Sequence, residues 1–114
     1  MPILPKMVWL PRLLVLALLF LASDASRAAD QKVLELGRSL FTTEASPPCA
    51  VCHTLADAQT SGAIGPDLDA LEPSPGQVAT AVRGGIGVMP AFESLTEEQV
   101  RAIALYVSTV AGKR

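Results

Sequence analysis

A chain of 114 residues with a formal net charge of −2 and no run of basic side chains has the size of one small domain and a poor surface for nucleic acid. Half of the residues are hydrophobic, but much of that half is packed into the first 22 positions, and two cysteines allow at most one intramolecular disulfide.

Residues 1–28 read as an export signal. Lys6 and Arg12 precede the apolar run at 13–22, whose length suits a signal core and falls short of a bilayer span. Small residues follow, and cleavage fits after Ala28 or after Ala25. The competing reading is an uncleaved membrane anchor. A lipoprotein anchor is disfavoured because no cysteine lies near the cut. Cleavage after Ala28 leaves a domain at 29–114 of 86 residues, with six basic and ten acidic side chains and a charge of −4. So short a chain buries little core, and a CxxC disulfide closes too small a loop to help much. A bound cofactor is the natural supplement.

Within that domain the pattern is all-α: about four short helices with long loops and no convincing strand pair. The first helix covers about 31–41, with Val33, Leu36, Gly37, Leu40 and Phe41 on one face. A glycine there costs helix stability, and close approach of a second helix would explain it. Residues 42–48 read as a loop closed by Pro47 and Pro48. The segment Cys49-Ala50-Val51-Cys52-His53 follows on a short helical turn, then a loop at 56–65 and one further turn at 67–71. Ser74, Pro75 and Gln77 form a capping box that opens a helix running to about Arg83 and stopped by Gly84 and Gly85. Residues 84–90 (GGIGVMP) make a loop of little bulk, able to lie against something flat. The last helix starts at Thr96 and Gln99, a second capping box, with Leu95 and Val100 as a hydrophobic staple. Val100, Ile103, Ala104 and Val107 form its buried stripe, Tyr106 lies beside it, and Gly112 ends it.

The motif CAVCH admits three chemistries. A redox dithiol normally opens a helix in a βαβ fold, and no such pattern is present. Zinc needs three or four ligands, and there is no second histidine or third cysteine. Haem c fits as written: two thiols two residues apart add to the porphyrin vinyl groups, and the histidine that follows offers its imidazole to iron. On this reading Cys49 and Cys52 bind the cofactor and His53 is a metal ligand. The sixth iron position decides between electron transfer and ligand chemistry. Met89 is the sole methionine after cleavage, and it sits in a Gly- and Pro-bounded loop rather than on an amphipathic stripe. A thioether opposite histidine is the electron-transfer arrangement.

Together these features resemble a class I monohaem cytochrome c of the small bacterial type. The resemblance covers nearly the whole mature chain. It implies that Pro66 in the Gly65-Pro66-Asp67-Leu68 stretch accepts a hydrogen bond from His53, that Leu68 packs on the ring, and that Met89-Pro90 is the methionine loop. It also implies that Gly37 and Phe41 cross the last helix near Ile103 and Tyr106. The loop before the motif is longer than in many members. No tryptophan remains to bond a haem propionate, and Arg83 is a substitute for that role or simply an exposed side chain. VCHTLADA, GPDLDAL and GVMPAF are similar to haem subunits that accept electrons from periplasmic sulfite dehydrogenases.

The resemblance implies a periplasmic electron carrier, not an enzyme in itself, with a dehydrogenase as donor and another cytochrome or an oxidase as acceptor. No nucleic acid and no stable membrane insertion after cleavage are expected. Leu36, Leu40, Leu68, Ile86 and the last helix are expected to bury the haem. Ala50, Val51, Ala63, Ile64 and Val88 are expected to form an apolar docking patch. Three alternatives stay open: a haem protein with a displaceable sixth ligand, a scaffold subunit, and a thiol-disulfide oxidoreductase.

Overall fold

The computed structural model describes residues 9–113. Helices α1 (Trp9–Ser39), α2 (Leu68–Leu71), α3 (Pro75–Gly84) and α4 (Glu97–Val110) carry most of the ordered backbone. The chain divides into two compact units, residues 1–31 and 32–114. In the first, the described leucines, valine and phenylalanine of the apolar run are exposed, Phe20 at 72%. No helix among the described residues is long and apolar enough to cross a membrane. The second unit contains the whole hydrophobic core, centred on Leu40, Phe41, Leu55, Val100, Ile103 and Val107.

Three sequence expectations are corrected. A strand pair does exist: β1 (Thr54–Leu55) and β2 (Thr60–Ser61) run antiparallel, with Thr54 opposite Ser61 and Leu55 opposite Thr60. Two residues per strand are too few for alternation to be read from sequence. The stretch expected to be a loop at 42–48 begins instead as a π-helical turn, Leu40–Glu44, which the Ala45 N–H closes onto the Leu40 carbonyl at 3.0 Å. The hydroxyls of Thr42 and Thr43 donate back to the Arg38 and Ser39 carbonyls at 2.9 and 3.2 Å, which holds this turn wound. Helix α1 also starts at Trp9, well before residue 31.

The helix starts follow their local chemistry. At α3 the Ser74 hydroxyl accepts from the Gln77 N–H at 3.2 Å, and the Gln77 side chain accepts from the Ser74 N–H at 2.8 Å. Thr96 and Gln99 repeat this at α4 with 3.2 and 2.9 Å. Each box satisfies two N–H groups that a helix start otherwise leaves unpaired. Helix α3 ends at Gly85, whose φ of +67° favours glycine.

Helix α4 meets the last turns of α1 at Gly37. A Cβ on Gly37 would lie 2.5 Å from Tyr106 Cβ and 2.8 Å from the Ala102 carbonyl carbon. The crossing point is therefore Ala102 and Tyr106, one residue from the Ile103 that the resemblance implied. Tyr106 is 2% exposed and packs edge-on against Phe41, with ring centroids 6.0 Å apart. Its hydroxyl donates to the Asp57 carboxylate at 2.6 Å.

Burial, with the Asp57 carboxylate beside it, raises the Tyr106 pKa above its ordinary value of 10. The unfolded chain then loses this proton first as pH rises. The stability tied to Tyr106 is complete below about pH 10 and declines as pH climbs toward the folded value. Denaturant midpoints taken between about pH 8 and 11 should fall more steeply for the wild type than for Tyr106→Phe, which lacks the group. Parallel slopes would contradict this.

Candidate functional site

Cys49–Val51 forms a 3-10 turn, closed by the Cys52 N–H on the Cys49 carbonyl at 3.1 Å. Three residues per turn bring side chains i and i+3 onto one face. The CxxC spacing thus places both sulfurs on the same wall, while Val51 between them is 58% exposed. The two thiols are not joined to each other. The His53 N–H also bonds to Cys49, at 3.0 Å, so the histidine follows directly on the turn.

Residues 60–66 hold this turn from outside. The Thr60 hydroxyl donates to the His53 carbonyl at 2.9 Å, and the Gly65 N–H donates to the Cys52 carbonyl at 2.7 Å. His53 Nδ1–H donates to the Pro66 carbonyl at 2.8 Å. That bond fixes the tautomer and leaves Nε2 as the unprotonated nitrogen. Gly65 lies flat against the imidazole: a Cβ there would be 2.5 Å from His53 Cε1.

These residues open onto a cavity of about 630 Å³ in the second unit. That is the size of a small-molecule or cofactor site. Cys49, Cys52, His53, Pro66, Leu68 and Met89 all line it, so the six sequence-predicted site residues share one space. Phe41, Phe92, Ile103 and Val107 supply core-side wall, and no Asp, Glu, Lys or Arg is among the lining residues. Met89 arrives on the loop after α3, which is pinned by reciprocal Ile86–Met89 backbone bonds of 3.1 and 2.9 Å. Gly85 makes the turn possible, since a Cβ there would meet the Met89 carbonyl oxygen at 2.6 Å.

Leu36 and Leu40, expected on this wall, do not line the cavity; Leu40 is buried in the core and Leu36 packs against it. Ile86 does line it but is 67% exposed, at the rim. Arg83 does not reach it. Its guanidinium bonds the Glu97 carboxylate at 3.0 and 2.6 Å and borders a separate groove with Val33 and Leu105. Sequence reasoning missed the clamping role of Thr60 and Gly65. The resemblance assigned Pro66 its bond to His53, but the glycines at 62 and 65 read as loop punctuation.

Burial, with Cys52 nearby, pushes the Cys49 thiol up to about 11. A redox-active dithiol needs the opposite shift, because the thiolate is the reactive form. Among the described residues, no group of three or more His, Cys, Asp and Glu is arranged to hold a metal ion, so a zinc centre gains no support either.

A family model described as cytochrome c oxidase, cbb3-type, subunit III matches residues 34–107, which contain every site residue named above. The chain belongs to this cytochrome c family. Among solved structures, the c-type cytochrome SorU from Sinorhizobium meliloti is 57% identical to it, with a TM-score of 0.72, over 73% of this chain and 95% of that one. No curated protein matches the chain. The helical fold with its small strand pair is accordingly a cytochrome c fold, and the family implies haem c as cofactor.

The cytochrome's own residues fit that group. Its cavity is apolar and large enough, two thiols and an oriented imidazole stand on its wall, and Gly65 leaves room for the ring of His53 where any larger residue would fill it.

Proposed function

We propose that this cytochrome is a periplasmic one-electron carrier with a single covalently attached haem c. Residues 1–28 would act as an export signal removed from the mature 29–114 domain. The proposed donor is a periplasmic dehydrogenase, with sulfite dehydrogenase first among candidates because of the sequence similarity to its haem subunits. The acceptor would be another cytochrome or an oxidase.

The observation that carries this reading is the gathering of Cys49, Cys52, His53 and Met89 on one apolar cavity. When bound, haem supplies the Fe(II)/Fe(III) couple. Cys49 and Cys52 would hold it through thioethers, His53 Nε2 and Met89 Sδ would ligate its iron, and Pro66 keeps the imidazole oriented. Leu68, Phe41, Ile103 and Val107 exclude water from the interior. A chain that supplied both iron ligands would leave no place for a substrate on the metal, which suits carriage rather than catalysis.

At the cavity mouth, Ile64 and Val88 are 67% and 85% exposed, and Val51 stands exposed on the motif turn. With Ala50 and Ala63 they offer a small apolar face for a redox partner, suited to brief encounters.

The test is the visible spectrum of the exported protein, oxidised and reduced, beside that of Met89→Ala. We expect a c-type reduced spectrum and, in the oxidised wild type, the weak far-red band of methionine-ligated iron, lost in Met89→Ala. Reduction by sulfite through a sulfite dehydrogenase should then be rapid. A far-red band that survives Met89→Ala would remove Met89 as ligand, and absence of haem from cells able to mature c-type cytochromes would overturn the whole proposal.

A further inference from the structure

Asp69 is 4% exposed and is the buried charged side chain among the described residues. It sits in α2, between the cavity-lining Leu68 and solvent-facing Ala70, where an apolar residue would serve packing alone. Its carboxylate instead accepts two backbone N–H groups, from Ala56 at 2.7 Å and from Gly112 at 3.0 Å. Its own N–H donates to the Asp67 carboxylate at 2.9 Å, which fixes α2 directly after Pro66. A buried carboxylate persists where fixed donors satisfy it, and its neighbours are then held as firmly as it is.

The register of these contacts is informative. His53 reaches Pro66, and Ala56 reaches Asp69; both bonds span thirteen residues. They close a ring made of two four-residue spans, 53–56 and 66–69, bonded at both ends. The first rung is the His53 Nδ1–H bond to the Pro66 carbonyl. The second is the Asp69 carboxylate. Neither span can slide without breaking both rungs. A separate hydrogen bond, Tyr106 to Asp57, holds the same hairpin to α4.

We infer that Asp69 is a positioning residue for His53: its carboxylate locks the strand leaving the histidine to the segment carrying Pro66, and so sets the Nδ1–H bond that tunes the imidazole. This rests on the reading of His53 as iron ligand. Donation from Nδ1 makes Nε2 more basic and favours the oxidised iron. Loosening the second rung weakens that donation and raises the reduction potential.

The experiment compares haem-bearing wild type, Asp69→Asn and Tyr106→Phe. Asparagine keeps the size but turns an NH₂ toward one of the two backbone donors. In Asp69→Asn, His53 Nδ1–H followed by NMR in the reduced protein should exchange about tenfold faster, the scale at which outer contacts act on a metal site. The potential should rise as well. Tyr106→Phe, which loosens the hairpin elsewhere, should lower stability and leave both readings at wild-type values. If Asp69→Asn lowers stability with both readings unmoved, Asp69 is a structural residue only and the inference falls.

Should Asp69→Asn fail to fold, wild-type exchange decides. Coupled rungs require His53 Nδ1–H and the Ala56 amide to open together, with protection agreeing within about threefold. An Nδ1–H that opens while the Ala56 amide stays more than about tenfold better protected would overturn the inference. A wild type that takes up no haem would instead overturn the proposed function, and this inference with it.

Discussion

Gly37→Ala is expected to destabilise the domain by about 2 kcal/mol, lowering Tm by roughly 10 °C. Helix propensity alone points the other way, since alanine in a helix interior gains up to about 1 kcal/mol over glycine. Packing decides the sign. The new methyl would stand 2.5 Å from Tyr106 Cβ and 2.8 Å from the Ala102 carbonyl carbon, with the Ala102 oxygen closer still. None of these is the tip of a flexible side chain, so relief requires α1 and α4 to separate. Separation would loosen Phe41 and Tyr106, both almost fully buried. Overpacking of this kind costs about 3 kcal/mol at the upper end of the usual range, which exceeds the propensity gain. Thermal unfolding followed by circular dichroism reads the result. A Tm equal to or above wild type would mean that the helices do not approach as described.

The second large effect falls on the site. Gly65→Ala is expected to disturb ligation by His53, with any fall in Tm following the loss of haem. The added Cβ would lie 2.5 Å from His53 Cε1 and 2.8 Å from Nδ1. The imidazole must swing away, and the 2.8 Å bond to the Pro66 carbonyl breaks with it. Losing such an orienting partner typically costs about 10–100-fold in metal affinity or activity. Haem content per protein and the oxidised spectrum should both change. Gly84→Ala is the control, because a Cβ there meets nothing within 4 Å. It should match the wild type in spectrum and equal or exceed it in Tm. A Gly65→Ala protein with wild-type spectrum and haem content would show that the ring has room the structure does not provide.

Much of this molecule was legible because its signals are local. Both capping boxes are four-residue patterns, and the structure forms them at Ser74 and Thr96. The CxxCH turn works at i, i+3, a spacing visible in any sequence. Gly37 was readable as a close approach because glycine on an apolar helix face is anomalous by itself. Its partner was not: Ala102 and Ile103 are adjacent, and which of them faces α1 depends on how α4 rolls on its neighbours. The same holds for Leu36 and Leu40, which share the helical face of Phe41 yet do not reach the cavity that Phe41 lines. Asp69 was the deepest omission. Its partners lie 13 and 43 residues away, and a carboxylate in an acidic chain reads as one more solvated charge. The β1–β2 pair was invisible because two-residue strands have no period.

The charge-free wall of the main cavity has a consequence for the setting in which the cytochrome would work. A compartment outside the inner membrane takes on the acidity and salinity of the surrounding medium. A wall with carboxylates or ammonium groups would gain and lose charge with that medium, and the driving force for each electron would drift with it. Here no Asp, Glu, Lys or Arg side chain lines the cavity, and the buried carboxylate, Asp69, is committed to backbone donors. The wall of the cavity therefore keeps its carboxylate and ammonium charge at zero while the exterior titrates.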